Sequence, residues 1–110
     1  MFTDITNLEE FGRIVCHEPG ILVLFSGADC GICRALKPKV ELLIEGLFPA
    51  MKLIHVNAEN APQIAVQNDI FTVPAILVFF DGQVFIKKVR NFSLTELQSE
   101  ISRLYNLMLS

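Results

Sequence analysis

Two stretches of this sequence, Ile21–Phe25 and Ala75–Phe80, are apolar at every position and are bounded by turn-forming residues. A strand with one face in water alternates apolar and polar side chains, so a strand without alternation must be covered on both faces. Two such strands call for a sheet between two layers, and the rest of the chain supplies helices. Leu36, Val40, Leu43, Ile44 and Leu47 recur at helical spacing, with Lys37, Lys39, Glu41 and Glu45 on other faces. Pro38 lies inside this stretch, removes one backbone donor and is expected to kink the helix, whose end lies near Gly46. Ser93-Leu94-Thr95-Glu96 reads as a capping box opening a final helix, with Leu94, Leu97, Ile101, Leu104 and Met108 on one stripe. Thr6-Asn7-Leu8-Glu9 reads as a similar box, with Thr6 as cap, Leu8, Phe11, Gly12 and Val15 on one face, and Pro19-Gly20 as the stop.

Phe2–Ile5 reads as a short edge strand, Met51–Val56 as a further strand, and Pro62 as the first turn of a short helix ending near Asn68. Asp81-Gly82 suits a hairpin turn, because both positions can take positive φ, and Gln83–Val89 then returns antiparallel to Ala75–Phe80. The order β-α-β-α-β-α-β-β-α gives an α/β chain with a central mixed sheet flanked by helices on both faces. Its 110 residues suit a single domain, 1–110.

A hydrophobic content of 52% excludes a disordered chain. Nine basic and twelve acidic residues leave a net charge of −3, so no basic field draws the protein to nucleic acid or to an anionic membrane. No apolar run approaches the roughly 20 residues of a membrane span. Met1–Glu10 has no basic segment followed by an apolar core, so no secretory signal is expected there. Three cysteines are too few for a disulfide scaffold, and a reducing cytoplasm is the expected compartment.

Two of those cysteines, Cys30 and Cys33, stand in C-x-x-C spacing around Gly31 and Ile32. Cys30 falls just past an apolar strand, where a helix begins and free N–H groups favour a thiolate. Cys33 is near enough to close a disulfide, so one thiolate could attack a substrate disulfide and the other release the mixed disulfide. Two blander readings are a pair of inert core thiols and half of a zinc site. Closed zinc sites want four ligands, and neither spacing nor position gathers Cys16, His17 or His55 to supply the rest, so no metal is expected. Cys16 reads as a small hydrophobe on a helix, His17 as a helix-end residue, and His55 as a strand residue with a satisfied hydrogen bond. Asp29 is either a solvated loop acid or a charge that acts on Cys30. Ile32, Phe71 and Val73 would border a groove near the cysteines, for partner contact or for packing.

The segment Ile21–Arg34, with Cys30-Gly31-Ile32-Cys33, then Pro38, Val73-Pro74-Ala75 and Phe80-Asp81-Gly82-Gln83-Val84, resembles the thioredoxin family over nearly the whole chain. The resemblance implies a thioredoxin fold and a thiol–disulfide oxidoreductase. It implies Cys30 as the attacking thiol, Cys33 as the resolving thiol, and Pro74 as a cis residue. The backbone beside Pro74, at Val73, would receive the substrate chain, with Ile32 alongside and Asp29 and Gly31 modulating the site. No bound cofactor is implied beyond the redox-active Cys30–Cys33 pair. The partners implied are protein or small-molecule disulfides as substrates and a reductase or small thiol as electron donor.

The chain departs from the family's pattern at several positions. Asp29 and Ser26 stand where tryptophans are usual, and Ile32 stands where a proline is usual. Leu24 occupies the place of a buried aspartate that handles the resolving cysteine's proton. The lysine often paired with that aspartate corresponds to Leu53, and a groove glycine corresponds to Arg90. The alternative reading is therefore a thioredoxin-fold interaction module with weak or regulatory redox chemistry. No pattern in the sequence sets the oligomeric state.

Overall fold

Every residue of β2 (Gly20–Ser26) and of β4 (Ala75–Phe80) is buried in the computed structural model, which describes residues 1–109. Around them lie β1 (Thr3–Asp4), β3 (Lys52–Asn57) and β5 (Gln83–Val89), with helices α1 (Leu8–His17), α2 (Gly31–Leu47), α3 (Pro62–Gln67) and α4 (Leu94–Met108). The sheet order β1-β3-β2-β4-β5 makes the two wholly apolar strands interior neighbours. β1, β3 and β2 run parallel, whereas β4 and β5 are antiparallel additions, so the sheet is mixed.

Side-chain parity divides the core into two halves. Ile21, Val23 and Phe25, with Ala75, Leu77 and Phe79, face α1 and α3 through Phe11, Val15, Ile64 and Ala65. Leu22 and Leu24, with Ile76, Val78 and Phe80, face α2 and α4 through Val40, Ile44, Leu97 and Ile101. This two-sided burial is what the unbroken apolar runs required. The hairpin turn has Asp81 at φ 54° and Gly82 at φ 78°, the left-handed values that its strand twist demands. α4 opens as expected, with the Ser93 hydroxyl accepting from the Glu96 N–H at 3.2 Å.

Two expectations at the start of the chain are corrected. The cap of α1 is Asn7, whose side chain accepts from the Glu10 N–H at 3.0 Å, in place of Thr6 with Glu9. Asn is as good a cap as Thr, and the one-residue shift leaves Phe11 and Val15 buried while Leu8 and Gly12 face solvent. The edge strand contracts to Thr3–Asp4, although the Ile5 N–H still donates to the His55 carbonyl at 3.0 Å.

Lys88 ties β5 to α4, donating to Glu100 at 2.7 Å and to Glu96 at 3.0 Å. The Glu100 hydrogen bond, then that of Glu96, raises the Lys88 pKa, and Lys88 in turn holds Glu96 below the usual carboxylate range. The tie is thus present at neutral pH; its Glu96 arm is lost in acid as Glu96 is protonated, and the whole tie in alkali above the ordinary lysine range.

α2 runs unbroken through Pro38, and Val40 and Ile44 seat it on the sheet. Because Ile44 is 1% exposed, Ile44→Ala is expected to cost about 2–5 kcal/mol. Leu42 on the same helix is 75% exposed, and Leu42→Ala is expected to change stability by about 0.5 kcal/mol or less. Urea unfolding of the two reduced variants checks the contrast.

Candidate functional site

β2 ends at Ser26, and the short loop Gly27-Ala28-Asp29 carries the chain to Cys30, the N-cap of α2. A helix N-terminus leaves its first N–H groups without intrahelical partners. One of these, from Cys33, points at the Cys30 sulfur at 3.2 Å. The same hydrogen bond is available to a Cys30 thiolate, and with the helix dipole it favours the ionised form. The two cysteines are joined as a disulfide with their Cα atoms 5.2 Å apart. Cys30 is partly exposed, whereas Cys33 is 3% exposed on the inward side of α2. One sulfur lies toward the surface with the second behind it.

The antiparallel register of β2 with β4 pairs Phe25 with Ala75. It carries Val73 and Pro74, immediately before β4, to the loop of Cys30. The Val73–Pro74 peptide is cis. Pro74 is buried, and its carbonyl accepts from the Arg90 N–H at 2.8 Å. Val73 is half-buried, and among the described residues its main-chain N–H and C=O have no main-chain partner. Cys30, Gly31, Ile32, Val73 and Pro74 line one open groove of about 650 Å³, with Asp29, Arg90 and Asn91 at its edges. The structure thus brings Asp29, Gly31, Ile32, Val73 and Pro74 into one groove with Cys30, to which Cys33 is bonded, whereas Phe71, expected at the same groove, lies elsewhere. Ile32 is 65% exposed and Phe71 is 78% exposed beside a second cleft shared with Val73.

Arg90 stands at φ 64°, a left-handed conformation that glycine adopts freely and arginine does not. This is the position where a glycine was expected by resemblance, and the backbone keeps the glycine-like shape while adding a cation to the groove's edge. Cys16, expected as a small hydrophobe, is a free and exposed thiol on α1. His17 is at the end of that helix, its Nδ1 2.7 Å from the Arg13 carbonyl. Among the described residues no group of three or more His, Cys, Asp or Glu side chains gathers as a metal site, and no helix is long and apolar enough to cross a membrane.

The face of the sheet on which α2 packs is apolar. Leu24 is fully buried and packs with Val40, Ile44 and Leu53. One assignment drawn from the resemblance is corrected here. The parallel register of β2 with β3 pairs Leu24 with His55, and Leu53 lies beside Leu22 instead. The residue next to Leu24 is therefore an imidazole.

A sequence profile of the thioredoxin family matches residues 2–103. The chain belongs to the thioredoxin family. It is 32% identical to the thioredoxin-like protein YdfQ of Bacillus subtilis over 105 residues, covering 96% of this chain and 93% of that protein. Mitochondrial thioredoxin-3 of Saccharomyces cerevisiae is 26% identical over 93% of this chain and 79% of its own length. Among solved structures, oxidised yeast thioredoxin 3 superposes with a TM-score of 0.83 at 24% identity, covering 93% of this chain and 94% of its own. Thioredoxin from Trypanosoma brucei brucei gives 0.85 at 19% identity over 96% and 92%. At such identities these two superpositions show the fold alone, and it is the thioredoxin fold. The family, the fold and the Cys30–Cys33 pair together make the chain a thiol–disulfide oxidoreductase. Thioredoxin family proteins act on protein disulfides and are themselves reduced by reductases.

Two outcomes follow from this geometry. In a Cys16→Ser background, limited alkylation of the reduced protein is expected to label Cys30 well ahead of Cys33, read by peptide mapping; preferential labelling of Cys33 would reverse their roles. Asp29 is exposed and adjacent to Cys30, where its negative charge opposes the helix N-terminus. Asp29→Asn is expected to make the Cys30 thiol more acidic at low salt, with the difference shrinking as salt is added. Thiolate absorbance through a pH titration measures it.

Proposed function

We propose that this protein exchanges disulfides with extended polypeptide segments, with Cys30 attacking and Cys33 resolving. The observation that carries this reading is the placement of a surface-facing Cys30 beside the unpaired backbone of Val73, in one groove. A segment lying along Val73 forms main-chain hydrogen bonds that any sequence can supply, and the exposed Ile32 and Phe71 add apolar contact. The Cys30 thiolate attacks one sulfur of the substrate disulfide, that bond breaks, and the first substrate sulfur leaves as a thiolate. The Cys33 thiolate then attacks the Cys30 sulfur, the second substrate sulfur leaves, and the Cys30–Cys33 disulfide closes. Two electrons have passed from the cysteine pair to the substrate. The protein's own thiols carry the chemistry without a bound cofactor, and a reductase or small thiol restores the dithiol. Use of cysteine as a reactive pair rather than a scaffold suits a reducing, cytoplasmic setting.

The second reading, a binding module with slow redox chemistry, draws support from Leu24, a buried apolar residue where the family resemblance implies an aspartate. Reduction of insulin disulfides with a dithiol donor separates the two. The wild type is expected to accelerate the reaction over the donor alone, Cys30→Ser to abolish the acceleration, and Cys33→Ser to accumulate mixed disulfides through Cys30. Stable capture of a disulfide protein without turnover by the wild type would favour the binding module.

A further inference from the structure

The resolving step requires the Cys33 proton to leave, and the apolar sheet face under α2 offers no carboxylate to take it. Three side chains at the same edge of the sheet form a hydrogen-bonded line that the activity described so far does not use. His55 Nδ1 lies 2.7 Å from Asp4 Oδ1, and His55 Nε2 lies 2.5 Å from Ser26 Oγ. A carboxylate only accepts, so Nδ1 carries a hydrogen, and in the neutral ring the Nε2 lone pair is aimed at Ser26. The Ser26 hydroxyl then donates to Nε2, and among the described residues no other donor reaches its oxygen.

The placement of this line relative to the cysteines follows from parity and register. Ser26 is the last residue of β2, separated from Cys30 by the three-residue loop, and is 7% exposed. It shares a sheet face with Leu22 and Leu24, the face on which α2 packs and toward which Cys33 turns. His55 is the direct neighbour of Leu24 on β3, and Asp4 is the direct neighbour of His55 on β1.

We propose that the Asp4–His55–Ser26 line accepts the proton of Cys33 during the resolving step, in place of the missing buried acid. His55 acts through Ser26 and is a positioning and proton-holding residue. The Cys33 proton passes to the Ser26 oxygen, directly or across one water, as the Ser26 proton passes to His55 Nε2. The Cys33 thiolate attacks the Cys30 sulfur, the Cys30–Cys33 bond forms, and the bond from Cys30 to the substrate sulfur breaks. That sulfur leaves as a thiolate, and the imidazolium, held by Asp4, later returns its proton to solvent. Among the described residues the charged side chain against the ring is Asp4; from α2, Lys37 lies over the Phe2 ring and Glu41 accepts from the Phe2 N–H and pairs with the Met1 ammonium, and the Phe2 ring meets His55 edge-on at 6.4 Å.

This inference rests on the oxidoreductase reading, and the test separates the two. In a Cys16→Ser background, reduced protein is mixed with 5,5′-dithiobis(2-nitrobenzoate) and the two successive thiol releases are followed from pH 5 to 9. The first reports attack by Cys30 and the second reports resolution by Cys33. Absence of the first release would sink the oxidoreductase reading itself. With it present, His55→Gln and Ser26→Ala are each expected to slow the second release about 100-fold at pH 7, the lower end of what a positioned proton acceptor contributes. Across this range the second rate is expected to depend on pH more steeply in His55→Gln and in Ser26→Ala than in the wild type. Thermal unfolding shows which variants are folded, and Ser26→Ala, which keeps the Asp4–His55 tie, carries the test if His55→Gln is not. Folded variants that resolve at the wild-type rate with the wild-type pH profile would overturn the proposal and leave His55 as a strand tie.

Discussion

The antiparallel pairing of β2 with β4, each buried on both faces, is the constraint on which the rest of the structure depends. A strand with no polar side to show has one stable place, the middle of a covered sheet, and two such strands take the middle together. Their register then does work that neither strand does alone. Phe25 opposite Ala75 leaves the loop after β2 facing the residues before β4, so Cys30 and the Val73–Pro74 segment meet. The groove is a consequence of core packing and is made from chain ends that the core holds still.

Several physical effects then compete within that groove. The N-terminus of α2 directs an N–H at the Cys30 sulfur, a contact that suits a thiolate, and Asp29 lines the same groove. Cys33 is buried on α2, the helix that packs over Leu24 through Val40 and Ile44. An apolar floor stabilises the core, since an ionisable group buried without a partner is costly, but it moves no protons. The polar groups of the Asp4–His55–Ser26 line run from the end of β2 across β3 to β1. Arg90, in a glycine-like backbone conformation, adds a cation at the groove's far edge.

Much of this is legible in the sequence because it is local. The apolar runs, the Asp81-Gly82 turn, the Ser93 cap and the C-x-x-C spacing each act within a few residues. The Thr6 cap went wrong because Asn7, an equally good acceptor, stands next to it, and only geometry selects between them. The Asp4–His55–Ser26 line had no sequence signal: its bonds span 51 and 29 residues and depend on the register of parallel strands. The same register displaced the assignment of Leu53 in favour of His55. Nor does the sequence around Arg90 mark a left-handed backbone, since no glycine, asparagine or aspartate occupies that position.

The central claim is that Cys30 and Cys33 act as one two-electron couple. Equilibration of the protein over a series of glutathione redox buffers, followed by acid quenching, alkylation and mass mapping, tests it most directly. The account requires Cys30 and Cys33 to lose their alkylation together in a single two-electron transition, linked to each other, independent of Cys16. Cysteines that are oxidised separately, or that end only as glutathione adducts with no Cys30–Cys33 bond at any poise, would contradict it.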